Sequence, residues 1–120
     1  MDNDVGLDFF IGNTIKETQY LEESVKFNEE LQGYLQVKEE YGKRYRGKGP
    51  FDLLIGLDQY SDKIFSTQEI NKLVNICEGI VIKYKTDNLY GQKIKQFAEK
   101  LIELCKEALL KNKLIVAIGD

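Results

Sequence analysis

Three aspartates carry the side chains in this sequence best suited to hold a divalent cation. Asp58 and Asp62 flank Tyr60 just after an apolar segment, and Asp120 is the last residue of the chain. Carboxylate oxygens are the ligands that Mg²⁺ and Ca²⁺ prefer, and sites are often built on loops at strand ends. Asp58, Asp62 and Asp120 are therefore candidate metal ligands, with Asp8 as a further partner. The alternative is that these aspartates close turns through hydrogen bonds to nearby backbone, since their spacing matches no calcium loop of the EF-hand type.

Other catalytic arrangements have less support in the residue types. The chain contains no histidine, which excludes Ser-His-Asp and Cys-His nucleophile pairs and every histidine-based zinc site. The adjacent carboxylates Glu22/Glu23 and Glu29/Glu30 diverge by about 100° on a helix, so they do not converge on one acid–base site. Residues 47–49 lack the spacing of a phosphate-binding loop. We therefore expect a protein that is not an enzyme and requires no cofactor.

The net charge of −3 hides a strong segregation along the chain. Residues 1–42 hold ten acidic and three basic side chains, residues 43–50 hold four basic ones, and residues 51–120 are neutral overall. An acidic third of a domain repels nucleic acid and attracts basic partners, although exposed glutamates also simply keep helices hydrated. We interpret the basic run as a solvated connection and expect no nucleic-acid partner.

Tyrosines are interleaved with the acidic residues of this segment. Tyrosine is favoured in protein interfaces because it offers a large contact area with a polar tip. An acidic surface with tyrosines is typical of a protein-binding face, and the alternative for Tyr34 is a place in the core. The candidate partner-binding residues are Glu22, Glu23, Glu29, Glu30, Glu39, Glu40, Tyr34 and Tyr41.

Cysteine usage and hydropathy predict a cytoplasmic protein without a membrane segment. Cys77 and Cys105 fall on the apolar stripes of predicted helices, so we expect buried, reduced thiols. No apolar run reaches the roughly 18 residues of a membrane helix, and no basic and apolar leader opens the chain. With 120 residues, 42% of them hydrophobic, the chain is predicted to fold as one domain over 1–120.

The first half of the chain predicts two strands and a long helix between them. Residues 5–12 alternate apolar side chains onto one face, which indicates a strand. Thr14 and Glu17 form a capping box that opens a helix predicted over 14–41. Residues 51–57 are apolar on both faces, which favours a strand buried on both sides.

The second half predicts two helices and a closing strand. Ser66 and Glu69 form the clearest capping box in the chain and begin a helix over 67–84. Another helix runs from Asp87 or Asn88 to about 112, with an apolar stripe at helical spacing. Residues 114–118 are apolar throughout, so we place that strand centrally in the sheet.

These elements predict an α+β fold. We expect a small mixed β-sheet of three to four strands packed with three helices. Their order is β-α-β-(β)-α-α-β, in which residues 63–65 supply the optional short strand. Both apolar strands need helices or other elements to cover them.

Two segments of the chain resemble a known group of sequences. Leu57–Ser66 (LDQYSDKIFS) and the terminal Ile118–Asp120 resemble a family of small, mostly uncharacterised bacterial proteins with a GLDPYGDTVFN stretch in mid-chain and FIGD at the end. Members of this size and type are similar to immunity proteins of contact-dependent growth inhibition and related polymorphic toxin systems. The chain departs from the family pattern at Gln59, Ser61 and Lys63. The resemblance implies the same element order and carries no catalytic role for the motif residues.

The resemblance, together with the charge segregation and the absence of catalytic chemistry, predicts an immunity protein. Such a protein binds a cognate bacterial toxin domain, here expected to be a nuclease, and occludes its active or substrate-binding surface. One alternative is a non-enzymatic interaction module or a homodimer. Another is a metal-dependent phosphoryl enzyme built on the three aspartates.

Overall fold

A computed structural model of the chain describes residues 5–21, 23–41, 49–84 and 88–120. In these ranges the α+β class is confirmed, with a sheet and three long helices. The strands are β1 (Gly6–Ile11), β2 (Val25–Asn28), β3 (Lys63–Phe65) and β4 (Ile115–Ile118). The α-helices are α1 (Glu29–Lys38), α2 (Asp52–Ile55), α3 (Thr67–Lys83) and α4 (Leu89–Leu110), and a 3₁₀ helix covers Lys16–Tyr20.

The sheet has the strand order β2-β1-β4-β3, and each neighbouring pair is antiparallel. This corrects the expectation of a mixed sheet. Two consecutive helices, α3 and α4, connect β3 to β4. After two helices β4 runs antiparallel to β3, whereas a crossover through one helix would make the two strands parallel. The central position of the closing strand is confirmed, because β4 lies between β1 and β3.

Aromatic rings join the sheet to the helices that cover one of its faces. Phe27 of β2 stacks on Phe97 of α4 with ring centroids 4.7 Å apart. Phe9 of β1 lies between this pair and the edge strand β3, 6.4 Å from Phe97 and 5.9 Å from Phe65. Fully buried rings of this kind contribute about 0.5–1.5 kcal/mol per pair beyond the area they bury.

The helix predicted over 14–41 is replaced by three shorter elements. One half of the predicted capping box is present, since the Glu17 N–H donates to Thr14 Oγ1 at 3.2 Å. The Glu17 carboxylate accepts from the Asn13 N–H at 3.2 Å rather than from the Thr14 N–H, and a 3₁₀ helix follows in place of an α-helix. Val25 and Phe27 then alternate with period two and lie opposite Phe9 and Leu7 of β1. Pairing with β1 is a long-range contact, which is why local helical spacing did not indicate this strand.

The strand predicted over 51–57 is wrong, because α2 and a turn occupy these residues. Their backbone carbonyls find side-chain donors instead of a neighbouring strand. Gln32 Nε2 of α1 donates to the carbonyls of Ile55 at 3.0 Å and Leu57 at 2.7 Å, and Gln36 Nε2 also donates to Ile55 at 3.1 Å. Buried carbonyls satisfied in this way do not need a sheet ladder.

Both helix starts predicted in the second half are confirmed. The Ser66 hydroxyl accepts from the Glu69 N–H, and the Glu69 carboxylate accepts from the Ser66 N–H, which completes the capping box of α3. Asn88 caps α4 by accepting from the N–H groups of Tyr90 and Gly91. No helix in the described ranges is both long and apolar enough to cross a membrane.

Candidate functional site

The Asp58 carboxylate closes the turn in which it lies. Its Oδ1 accepts from the Tyr60 N–H at 2.9 Å, and its Oδ2 accepts from the Ser61 hydroxyl at 2.9 Å. The hydrogen bond from the Tyr60 backbone is the main cause that lowers the pKa of Asp58 below its usual value, with the Ser61 hydroxyl second. Both carboxylate oxygens of Asp58 therefore accept hydrogen bonds that stabilise the turn.

The other two aspartates fix the C-terminus of the chain. Asp62 Oδ1 accepts from the Gly119 N–H at 2.9 Å, and an Asp120 carboxylate oxygen accepts from the Gly6 N–H. No group of three or more metal-ligating carboxylates or thiols converges in the part of the chain that the structure describes.

The candidate glutamates do not share one helix face. Glu23 follows the 3₁₀ helix, whereas Glu29 and Glu30 form the first turn of α1, and β2 separates the two groups. Glu40 is exposed just beyond α1 with a left-handed φ of 52°. Glu22 lies outside the described residues. The acidic surface is thus divided among different parts of the molecule.

Glu39 is buried and serves to join two helices. Its carboxylate pairs with Lys83 Nζ at 2.8 Å and accepts a hydrogen bond from the Tyr84 hydroxyl. Burial, followed by the contact with Glu39, raises the pKa of Tyr84. Since its side chain is nearly inaccessible, Glu39 is not part of the contact surface that we propose below.

The two candidate tyrosines are half-buried and take part in internal packing. The Tyr34 ring stacks on Tyr90 with centroids 5.5 Å apart, and the Lys38 ammonium lies 5.9 Å from the Tyr34 centroid. The Tyr41 hydroxyl lies against Gly56, where an added Cβ would be only 2.8 Å away. Both tyrosines contribute to the packing around α1, so their role in an interface is limited to their exposed edges.

A more open surface lies beside the 3₁₀ helix, where the chain crosses toward β2. Tyr20 is 79% exposed and Leu21 is 42% exposed, although both are large apolar or aromatic side chains. They border a groove of about 380 Å³ against the C-terminal half of α4. We call it the Tyr20 groove, and it is lined by Ile11, Tyr20, Leu21, Glu23, Leu104, Glu107, Lys111 and Lys113.

Charged side chains form the rim of the Tyr20 groove. Lys111 Nζ pairs with Glu107 at 2.7 Å, and this contact is the main cause that raises the pKa of Lys111, with Glu23 adding a smaller effect. The lining therefore combines apolar with charged side chains, a mixture that is common in protein–protein interfaces.

Sequence reasoning included Glu23 of this surface but missed the groove itself. The helix predicted over 14–41 places Tyr20 and Leu21 in regular helical geometry, in which neither was expected to border a groove. The break in helical geometry at Leu21, which adopts an extended conformation, is what exposes both side chains. No local sequence signal marks that break. Comparison with protein-family models, curated proteins and solved structures finds no significant match to this chain.

Proposed function

We propose that this protein is an immunity protein that acts in the cytoplasm by binding and neutralising a cognate bacterial toxin domain, a nuclease. The observation that carries the proposal is the exposure of Tyr20 and Leu21 beside an open groove. Neighbouring large apolar side chains that are exposed to solvent are typical of protein–protein interaction sites.

The contact would combine an apolar centre with electrostatic steering. Tyr20 is the expected anchor, since tyrosine is enriched among the residues that dominate binding energy. Glu23 on the rim would meet basic side chains of a nuclease and raise the association rate at low salt, whereas Glu107 is already paired with Lys111. Once bound, this protein would cover the substrate-binding surface of the toxin by its size alone, without catalysing a reaction.

The two buried thiols lack the properties of reactive cysteines. Cys77 and Cys105 are fully buried, and burial raises the pKa of Cys105 to about 12 and that of Cys77 as well. Thiols of this kind remain protonated and inaccessible, so they are poor nucleophiles. Neither cysteine therefore supplies a reactive group to a partner or substrate.

The first experiment is capture of the toxin by tagged protein from the native host, or after co-expression with the neighbouring reading frame. We expect one stoichiometric fragment from the C-terminal end of a large protein. Tyr20→Ala should weaken its binding about 30-fold, as truncation of a central anchor does. Tyr60→Ala is the matched control, because Tyr60 is 66% exposed on a different loop.

The two possible failures of this experiment are distinguishable. Capture of the toxin with equal affinity for both tyrosine variants would overturn the Tyr20 groove as the contact surface. Recovery of the protein alone would overturn the immunity function itself. Charge reversal at Glu23 should also reduce the salt dependence of binding, since it replaces a carboxylate of the rim with a positive charge.

A homodimer is the second candidate, and the outer face of the sheet favours it. Phe10, Val116 and Ile64 lie opposite one another on three adjacent strands, on the face away from the aromatic core. Val116 is fully buried between its neighbours and Ile64 is 39% exposed, so Ile64 rather than Val116 would contact a second copy. Light scattering after size exclusion tests this candidate. A dimer that Ile64→Lys converts to a monomer would support it, and a wild-type monomer at high concentration would exclude it.

A further inference from the structure

The strand β2 has a free edge whose backbone groups point away from the sheet. Within the ranges that the structure describes, β2 lies at one edge of the sheet β2-β1-β4-β3 and pairs with β1 alone. The Glu29 N–H donates to the Val5 carbonyl at 2.8 Å, which sets the alternation of bonded pairs along the two strands. Phe27 therefore faces β1 with its backbone groups, whereas Lys26 directs its N–H and carbonyl outward.

A basic groove lies directly beside this edge. It has a volume of about 430 Å³ and is bordered by β2 and by the N-terminal half of α4. Lys93 and Lys100 lie on one face of α4, since they are separated by two helical turns. We call this surface the β2 groove, and it is lined by Ser24, Val25, Lys26, Asn28, Glu30, Leu31, Lys93, Gln96, Phe97 and Lys100.

The charges of the β2 groove are predominantly positive. Three lysines line it and Glu30 is the carboxylate among the lining residues. The Lys26 ammonium already pairs with Asp8 at 3.6 Å, so recognition of an added anion rests mainly on Lys93 and Lys100. The Lys93 ammonium also lies 5.8 Å from the Tyr90 ring centroid, a contact that leaves its hydrogen-bond donors available.

We propose that the β2 groove binds an extended acidic segment of a protein partner, which adds to the sheet beside β2. The outward N–H and carbonyl of Lys26 would pair with the backbone of the added strand, as in other cases of strand addition. Carboxylates on that strand would pair with Lys93 and Lys100. The proposal goes beyond the immunity function, because it concerns a surface other than the Tyr20 groove and a partner class defined by its chemistry.

A polypeptide fits this surface better than a nucleic acid does. A strand edge alternates donors and acceptors, which another peptide backbone matches and a sugar-phosphate backbone does not. Glu30 and Asp8 flank the edge, and the whole chain has a net charge of −3, so a polyphosphate would be repelled at longer range. A short acidic peptide can pair with Lys93 and Lys100, and it is repelled less at long range because its charge density is lower than that of a nucleic acid.

The test uses a capped decapeptide of alternating threonine and glutamate, titrated into isotope-labelled protein and followed by NMR. We expect amide shifts confined to residues 24–28 and 93–100, and an increase in protection of the Lys26 amide against hydrogen exchange. A threonine–lysine decapeptide and a single-stranded oligodeoxynucleotide serve as control ligands. Neither should produce these shifts.

Two pairs of variants separate the backbone contribution from the charge contribution. Lys26→Pro removes the outward N–H, which edge strands tolerate, whereas Lys26→Thr removes only the charge. We expect about fivefold weaker binding for the proline variant than for the threonine variant. Charge reversal at both Lys93 and Lys100 should weaken binding about tenfold or more, while the same reversal at Lys95 and Lys106, outside the groove, should not.

Several results would overturn this proposal. They are no saturable binding at millimolar peptide, equal affinity of the two Lys26 variants, and tighter binding of the oligonucleotide than of the acidic peptide. If Lys26→Pro does not fold, the backbone contribution is measured in the wild-type protein, as the hydrogen-exchange rate of the Lys26 amide with and without peptide. Unchanged exchange in the presence of saturating peptide would then exclude strand addition.

Discussion

The Asp62 carboxylate accepts a hydrogen bond from the backbone N–H of Gly119 at 2.9 Å, across a sequence separation of 57 residues. A second contact joins the same two segments, since the Asp120 N–H donates to the Gln59 carbonyl at 2.9 Å. The mid-chain residues 57–66 and the chain end 118–120 therefore lie against each other. Their residues close a turn and fix the C-terminal strand, which gives this pair of motifs a structural role.

Gly119 should tolerate no side chain, because the loop packs directly against its Cα. A Cβ at this position would lie 2.6 Å from the Ser61 nitrogen and 2.8 Å from the Gln59 carbonyl oxygen. We expect Gly119→Ala to lower the free energy of unfolding by about 1–3 kcal/mol, measured by urea denaturation.

Substitution of Gly33 by alanine should have the opposite effect on the free energy of unfolding. It lies inside α1, and a Cβ there would meet no atom within 4 Å. Gly33→Ala should therefore raise the free energy of unfolding by about 0.5–1 kcal/mol, as expected for alanine in a helix interior. Equal effects of the two substitutions would contradict the close approach at Gly119.

Gln32 should be a major determinant of stability although it is polar. Its amide donates to two carbonyls of the α2 region, and its carbonyl oxygen accepts from the Gln59 amide. Gln32→Leu would remove the Gln32 donor from the Leu57 carbonyl and the acceptor of the Gln59 amide, whereas the Ile55 carbonyl keeps its bond from Gln36. We therefore expect a loss of about 1–3 kcal/mol by urea denaturation. Gln68→Leu on the exposed side of α3 should change stability by less than about 0.5 kcal/mol. Similar values for both variants would refute the role of Gln32.

Tyr84 should make stability depend on alkaline pH. Its folded pKa is raised above the usual value of 10.0 by burial and by the hydrogen bond to Glu39. The folded protein thus retains a proton that the unfolded chain releases, so the stabilisation present at lower pH is lost as pH rises above about 10. Tyr84→Phe should flatten this part of the stability profile, measured by denaturation between neutral and alkaline pH.

The same substitution should also reduce stability at neutral pH. Without the hydroxyl, the buried Glu39 carboxylate loses one of its partners and retains Lys83. We expect a loss of about 1–2 kcal/mol. Tyr60→Phe, which changes an exposed hydroxyl, is the control and should leave both stability and its pH profile unchanged.

The thiols should react only when the protein unfolds. Cys77 and Cys105 are fully buried, and burial raises the pKa of both. We expect labelling by a disulfide reagent to be slow in native buffer and to accelerate with urea in step with the loss of circular dichroism. Rapid labelling of either cysteine in the folded protein would contradict their burial.

The sequence by itself determined the elements whose signals are local. The capping box of Ser66 and Glu69 satisfies free N–H groups within one helical turn, so its meaning does not depend on the rest of the fold. The apolar run of β4 similarly predicted a central strand, because such a strand needs burial on both faces. The α+β class followed from the order of these elements.

Only the tertiary structure decided how residues 14–41 and 51–57 fold and which surface they expose. Val25 and Phe27 form a strand because β1 offers a pairing edge, and the carbonyls of Ile55 and Leu57 accept donors from Gln32, far along the chain. These interactions join residues distant in sequence, so no local pattern specifies them. Burial of Glu39, exposure of Tyr20 and the free edge of β2 all follow from the same long-range packing.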